Sequence, residues 1–232
     1  MPAAMIAAEP TIALPGESLS ELVWRLHPEM HRLLEGRAET DWAEADLASA
    51  HIGFTTERFV ALPGLLSAAD TALLGPYYRR LIAVGLMGWA TDPVRLVIND
   101  DPVGRALLRQ IRPTVQTIVG RPIRESYTFA AEYSGGVALR MHTDRIQCEY
   151  TISLFLDYTP LVPGARSPWS LDILSPGRPQ PLRFHQARGE GILFKGRELV
   201  HGRMALPADE RCLVLMLHYV DADFPEEQLD RC

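Results

Sequence analysis

The apolar positions of this chain change period near Gly120. Before it they recur every three or four residues, as on the buried stripe of a helix; after it they alternate or cluster in short blocks, as on strands. Leu19, Leu22, Val23, Leu26, Met30, Leu33 and Leu34 predict a helix over 17–36, with Pro28 kinking or splitting it. Residues 37–52 are polar and acidic and read as a solvated helix or loop. Residues 59–62 read as a short strand ended by Pro63-Gly64. Ser67 with Asp70 three positions on marks a helix start, and that helix is expected to run to about Val84. A strand is expected at 94–98. A second strong helix spans 101–119, with Pro102 in its first turn, where a missing N–H does no harm, and Gly120 at its end. Residues 1–16, with three prolines, read as a loose arm.

Beyond Gly120, β-branched and aromatic runs separated by Gly and Pro predict strands near 123–133, 137–144, 148–157, 169–174, 181–185, 191–194, 199–204 and 211–220. So many short strands within about 100 residues point to an all-β barrel or jelly roll. The expected class is therefore α+β: a jelly-roll core with the N-terminal helices packed on its outside. No Pro/Gly/Ser linker separates the halves, so 1–232 is expected to be one domain, with 1–120 as helical support or lid and 121–220 as the β core.

Charge and cysteine content narrow the function classes. The net charge of -6, with no basic run, argues against nucleic acid as the main partner, because phosphate binding needs clustered Lys and Arg. Three cysteines, Cys148, Cys212 and Cys232, have no metal-ligand spacing and suit a reducing compartment. No stretch approaches the roughly 18 apolar residues of a membrane span. The first residues lack the basic start of a secretory signal. A cytoplasmic protein with no membrane partner is expected.

The chemistry is concentrated in two segments, Val137-Ala-Leu-Arg-Met-His-Thr-Asp144 and Gly191-Ile-Leu-Phe-Lys-Gly-Arg-Glu-Leu-Val-His201. On a strand, residues i and i+2 share a face, so His142, Asp144 and Arg140 point together. One imidazole and one carboxylate then converge, and a third ligand from another strand would complete a facial triad of two histidines and one carboxylate. His201 follows an apolar strand and a turn. His185 and His218 also sit on expected strands and are rivals for that place. His27 and His31, spaced i, i+4, lack a carboxylate in metalloprotease spacing and read as helix-face residues.

Residues 127–220 resemble the Fe(II)/2-oxoglutarate-dependent dioxygenases, in particular the prolyl-4-hydroxylase-like branch. That branch has a Tyr nine residues before the first metal His with a Gly pair between, here Tyr133-Ser-Gly135-Gly136. The His-x-Asp follows as His142-Thr-Asp144, then a strand of the type 150–156, the family's Gly-x-x-x-Phe strand with its spacing slightly tightened as Gly191-Ile-Leu-Phe194, and the distal His201. A basic residue about ten positions after the distal His binds the far carboxylate of 2-oxoglutarate in the family, which implies that role for Arg211. The resemblance implies that His142, Asp144 and His201 hold Fe(II). It also implies that Arg211 and Tyr133 hold 2-oxoglutarate, with Tyr127 and Tyr150 as alternatives to Tyr133, and that O2 is the oxidant. A cupin is the nearest rival, but the second cupin motif is absent around His201.

The chain departs from the branch in three places. Arg stands where Lys is usual, the Arg-x-Ser pattern is missing because residue 213 is Leu, and Leu161-Val-Pro-Gly-Ala-Arg-Ser-Pro-Trp169 replaces a Gly-Gly-x-Thr segment. The last argues against a peptidyl-proline substrate. Related halogenases carry a small residue in place of the carboxylate, so Asp144 implies hydroxylation, desaturation or cyclisation. The expected activity is oxidation of an unactivated C–H bond of a small molecule such as an amino acid or natural-product intermediate. A peptide hydroxylase or a non-catalytic sensor of 2-oxoglutarate or metal is the alternative. Arg140, Trp169 and Arg203 are the expected substrate contacts.

Overall fold

The structure is a computed structural model and describes residues 16–38, 42–91, 94–160 and 164–229. Most of the expected N-terminal arm lies outside these residues, as do 161–163 of the segment before Trp169.

Local chemistry sets the helix boundaries. Helix α1, Leu19–Leu26, opens at Ser18, whose hydroxyl accepts from the Glu21 amide while the Glu21 carboxylate accepts from the Ser18 amide. This reciprocal cap satisfies two otherwise orphaned donors. Pro28 lacks an N–H to continue the ladder and splits the expected helix. A 3-10 turn, Pro28–Met30, and the short α2, His31–Leu34, follow it. Helix α3, Glu44–Glu57, takes up the second part of the polar stretch and outruns it by five residues, burying Ala50 and Phe54. Strand β1 is Phe59–Leu62. Helix α4, Ala68–Ala83, begins at Ser67, whose hydroxyl accepts from the Asp70 amide at 3.1 Å. Strand β2, Gly88–Thr91, was not expected; β3, Val94–Asn99, was. Helix α5, Pro102–Val119, has Asp101 as its cap and ends on Gly120 at φ 77°, a left-handed conformation that costs glycine little.

Eight strands follow: β4 (Ile123–Ser134), β5 (Leu139–His142), β6 (Tyr150–Thr159), β7 (Leu171–Leu174), β8 (Leu182–Phe184), β9 (Gly191–Phe194), β10 (Val200–Arg203) and β11 (Arg211–Asp221). Each falls on an expected strand. They form two antiparallel sheets, one in the order β1-β9-β6-β11-β4-β3-β2 and one in the order β5-β10-β7-β8. No helix among the described residues is long and apolar enough to cross a membrane.

The large sheet has two different faces because its strands alternate. Ile152, Leu154, Leu156, Leu213, Leu215, Leu217 and Tyr219 face the helices and share one apolar cluster with Leu74, Tyr78, Leu107, Ile111 and Val115. The opposite face, carrying Tyr133, Thr151, Ser153, Val214 and Met216, looks into a cavity. The helices thus cover the sheet face that would otherwise be wet, and the other face is left to chemistry.

Asp101 pins this packing. Its buried carboxylate accepts from the hydroxyls of Tyr77 and Tyr78, each at 2.9 Å, and from the amides of Val103 and Gly104, each at 3.1 Å. Asp101→Ala would remove a helix cap and leave two buried phenols without an acceptor. We expect it to lower unfolding free energy by about 3 kcal/mol, read from the urea midpoint. A loss below about 1 kcal/mol would contradict the role given to Asp101.

Candidate metal centre

Strands β5 and β10 run antiparallel with His142 directly opposite His201. Side chains opposite one another on one face of a sheet are neighbours, and the two imidazole centroids are 4.5 Å apart. His142 Nδ1 lies 2.8 Å from the carbonyl oxygen of Arg140, and His201 Nδ1 lies 2.9 Å from that of Leu199. A carbonyl can only accept, so each Nδ1 carries a proton, and in the neutral ring Nε2 is then the atom that offers a lone pair to a metal. Asp144 lies two residues beyond His142, where its amide donates to the carbonyl of Gly196 at 2.8 Å. Its Oδ1 is 3.7 Å from His142 Nε2 and 3.5 Å from His201 Nε2. These gaps are too long for good hydrogen bonds. They leave room for the three atoms to share one divalent ion at bonds of about 2.1 Å.

Asp144 is held from behind. The Thr151 hydroxyl donates to its Oδ2 at 2.9 Å and accepts from His218 Nδ1 at 3.1 Å. Burial pushes the Asp144 carboxyl up, but the facing imidazole of His201, with His218 and Thr151, outweighs it and brings the carboxyl down to about 2. Burial drives His218 down to about 4, so its ring is neutral at neutral pH. Gly196 is required by space: a Cβ there would collide with Asp144 Oδ2 and sit 2.6 Å from the Cys148 carbonyl oxygen and 2.7 Å from Thr151 Oγ1. Neither Thr151 nor Gly196 stands out in the sequence, because each acts across strands.

The rival histidines separate cleanly. His185 binds the Ser167 carbonyl through Nδ1 at 2.9 Å and does not line the cavity. His218 does line it, and with Asp144 and Cys148 it forms a second grouping of ligand-type atoms that shares Asp144. His218 is nevertheless tied to Thr151, as described above.

A cavity of about 490 Å³ opens beside the triad. Tyr133 and Arg203 line it as expected. Arg203, 5% exposed, donates to the Trp169 carbonyl at 3.0 Å and, more weakly, to Ser153 Oγ at 3.3 Å and Gln186 Oε1 at 3.4 Å. No carboxylate pairs with it among the described residues, and burial lowers its pKa. Burial raises the Tyr133 hydroxyl, against the pull of Arg95 and Arg203. Arg140 is exposed and lines the cavity.

Two expectations need correction. Arg211 is not brought to the cavity: its side chain is 66% exposed and lies 3.7 Å from Glu132. On β11 the cavity-facing residues are Val214, Met216 and His218, so Arg211 falls on the opposite parity, and an offset of one residue turns a strand side chain to the other face. Trp169 does not line the cavity. Its indole N–H donates to the Met204 carbonyl at 2.6 Å, and its ring packs 5.1 Å from Tyr133 and 4.9 Å from the Arg203 guanidinium. It supports Arg203 from behind.

The sequence reading missed Arg95. On β3 it pairs directly with Tyr133 of β4, which carries its side chain into the cavity. The available signal was a lone charge inside the apolar run of β3.

No protein-family model and no curated protein matches the sequence. Solved structures do match in fold. The non-heme alpha-ketoglutarate-dependent epimerase SnoN of nogalamycin biosynthesis superposes with a TM-score of 0.63 at 17% identity, over 78% of this chain and 82% of SnoN. SnoN has also been solved with Fe3+, alpha-ketoglutarate and nogalamycin RO. A Pseudomonas putida prolyl-4-hydroxylase gives 0.61 at 18%, over 75% of this chain and 98% of that one. HygX from Streptomyces hygroscopicus, with nickel, 2-oxoglutarate and hygromycin B bound, gives 0.61 at 14%, over 77% and 88%. At these identities the likeness is one of fold, and the fold is that of Fe/2-oxoglutarate-dependent oxygenases.

Replacing His142 or His201 by Ala is expected to weaken Mn(II) binding by more than the roughly 10- to 100-fold typical of losing an outer partner, and Thr151→Val by about tenfold. Gly196→Ala should weaken binding through displacement of Asp144, while His185→Ala and His218→Ala should retain it. Calorimetric titration reads all six. Loss in His218→Ala with retention in His201→Ala would make Asp144–Cys148–His218 the site instead.

Proposed function

We propose that the chain is an Fe(II)- and 2-oxoglutarate-dependent oxygenase that oxidises an unactivated C–H bond of a small molecule. The observation that carries this reading is the triad of His142, Asp144 and His201 opening onto a cavity that also holds Arg203, a buried guanidinium without a carboxylate partner among the described residues. Two imidazoles and one carboxylate suit a ferrous ion and leave one side of its coordination sphere open. When bound, ferrous iron with 2-oxoglutarate and O2 supplies the oxidant that removes hydrogen from carbon, yielding succinate and carbon dioxide.

The protein's residues do the positioning. Arg203 and the Tyr133 hydroxyl receive the far carboxylate of 2-oxoglutarate, taking the place first expected for Arg211. A buried guanidinium held by a carbonyl, a hydroxyl and an amide is pre-organised, and its planar fork matches a carboxylate. Phe129, Leu171, Phe194, Val214 and Met216 give apolar walls that keep water from the reacting carbon. Thr151 aims Asp144, and the backbone carbonyls of Arg140 and Leu199 aim the two imidazoles. The intact carboxylate at Asp144 supports hydroxylation, desaturation or cyclisation over halogenation.

We read residues 1–232 as one dioxygenase domain whose two sheets form a jelly roll and whose helices buttress it. The buried thiol of Cys212, in no disulfide among the described residues, is in keeping with a cytoplasmic protein.

Purified protein given Fe(II), O2 and 2-oxoglutarate is expected to form succinate; its absence under every substrate condition would overturn the reading. In the Mn(II)-loaded protein, Arg203→Met should weaken 2-oxoglutarate binding by about 100-fold, as for charged hydrogen bonds of about 3 kcal/mol. Arg211→Ala should leave it within about twofold, since an exposed surface pair contributes little. The reverse ranking would restore Arg211 to the site.

A further inference from the structure

The cavity carries more positive charge than the proposed co-substrate neutralises. The guanidinium groups of Arg95, Arg140, Arg145 and Arg203 line it, against the single carboxylate of Asp144. The chain as a whole is acidic, at -6, so this is a local concentration and not a general bias. On the reading above, the two positive charges of a ferrous ion and the one on Arg203 balance Asp144 and the two carboxylates of 2-oxoglutarate. That set is neutral. Arg145 is already engaged, donating to the Tyr127 hydroxyl at 2.7 Å. Arg95 and Arg140 remain.

Arg95 is the more telling of the two. Its Nε and Nη1 are buried and have no hydrogen-bond partner among the described residues. Its guanidinium carbon lies 5.1 Å from the centroid of the Phe129 ring and 5.4 Å from that of Tyr133. These rings hold the cation but accept none of its N–H bonds along the guanidinium plane. No acid pairs with it among the described residues. A buried charged donor left unsatisfied is costly unless an acceptor arrives. Arg140, exposed on β5 two residues before His142, adds a second cation on the same cavity with no ion pair among the described residues.

We propose that the substrate is a small organic oxyanion, a carboxylic acid or a phosphate ester, whose negative group docks on Arg95 with Arg140 as the second cation. This rests on the oxygenase reading and adds the substrate's charge and its anchor. Arg95 then serves the substrate, and Arg203 the co-substrate. Anchoring one end by charge leaves the other end of the molecule to lie along the apolar walls, beside the triad.

The test uses the full chain loaded with Mn(II) and saturating 2-oxoglutarate, titrated calorimetrically with inorganic phosphate, with acetate and with neutral acetamide. Phosphate or acetate is expected to bind, the stronger of the two naming the anionic group, and acetamide is not. Arg95→Met should weaken the oxyanion at least about tenfold, as expected for a charge-assisted contact, and should leave 2-oxoglutarate affinity within about twofold, unlike Arg203→Met. Arg95→Lys, which keeps the charge without the fork, should recover part of the oxyanion binding. Acetamide binding as well as acetate, no binding of either anion, or an unchanged Arg95→Met would overturn the proposal. So would a loss of 2-oxoglutarate in Arg95→Met equal to that in Arg203→Met, which would leave the oxygenase reading standing. If the wild-type protein does not bind 2-oxoglutarate, the co-substrate assignment fails separately. The oxyanion titrations are then run on the metal-loaded protein, where Arg95→Met must still show its loss.

Discussion

The direct pairing of His142 with His201 across β5 and β10 is the constraint on which the site depends. A slip of one residue would turn one imidazole to the far side of its sheet and dissolve the cluster. Several contacts hold that register. β10 is also paired on its other side, with His201 opposite Ile173 of β7. Gly202 lets the two strands close up, since a Cβ there would sit 2.6 Å from the carbonyl oxygen of Leu139. The Asp144 amide is tied to the Gly196 carbonyl, which fixes the third ligand-type group relative to the strand that carries the second. Hydrogen bonds from ring nitrogens to the i−2 carbonyls then set both imidazoles in the tautomer that offers Nε2.

The rest of the chain allows the cavity beside the triad to be cationic. A cavity holding several guanidiniums cannot be stabilised by its own apolar burial, and the stabilising core lies elsewhere. It is on the other face of the large sheet, where β6 and β11 present aliphatic side chains to α4 and α5. Asp101, Tyr77 and Tyr78 join the start of α5 to α4 by buried hydrogen bonds. Stability and chemistry are thus divided between the two faces of one sheet. His218 and Thr151 cross that division: both lie on strands of the large sheet, and they aim Asp144 at the histidines of the small one.

Much of this was legible in the sequence, for local reasons. The eight C-terminal strands follow from blocks of β-branched and aromatic residues between turns. The ends of α5 follow from Asp101, Pro102 and Gly120, and the two-residue spacing of His142 and Asp144 follows from strand alternation. What was not legible is non-local. Arg211 was placed by counting from His201, and counting does not register the parity of the strand it falls on. Arg95 reaches the cavity through the β3–β4 pairing, which has no signature in spacing. The Gly135-Gly136 pair reads as a motif, and its basis is steric and conformational: a Cβ on Gly135 would run into the carbonyl of Ala208, and Gly136 has φ 82°. Strand β2 lacks the β-branched run that marks the others, and only its pairing with β3 makes it a strand.

The central claim is that one divalent ion sits between His142, Asp144 and His201 with 2-oxoglutarate reaching back to Arg203. Anomalous diffraction at the manganese edge, from crystals grown with Mn(II) and 2-oxoglutarate, tests both parts in one map. The account predicts one anomalous peak within bonding distance of His142 Nε2, Asp144 Oδ1 and His201 Nε2, and the far carboxylate on the Arg203 guanidinium. A peak between Asp144, Cys148 and His218, or a co-substrate carboxylate resting on Arg211, would contradict it.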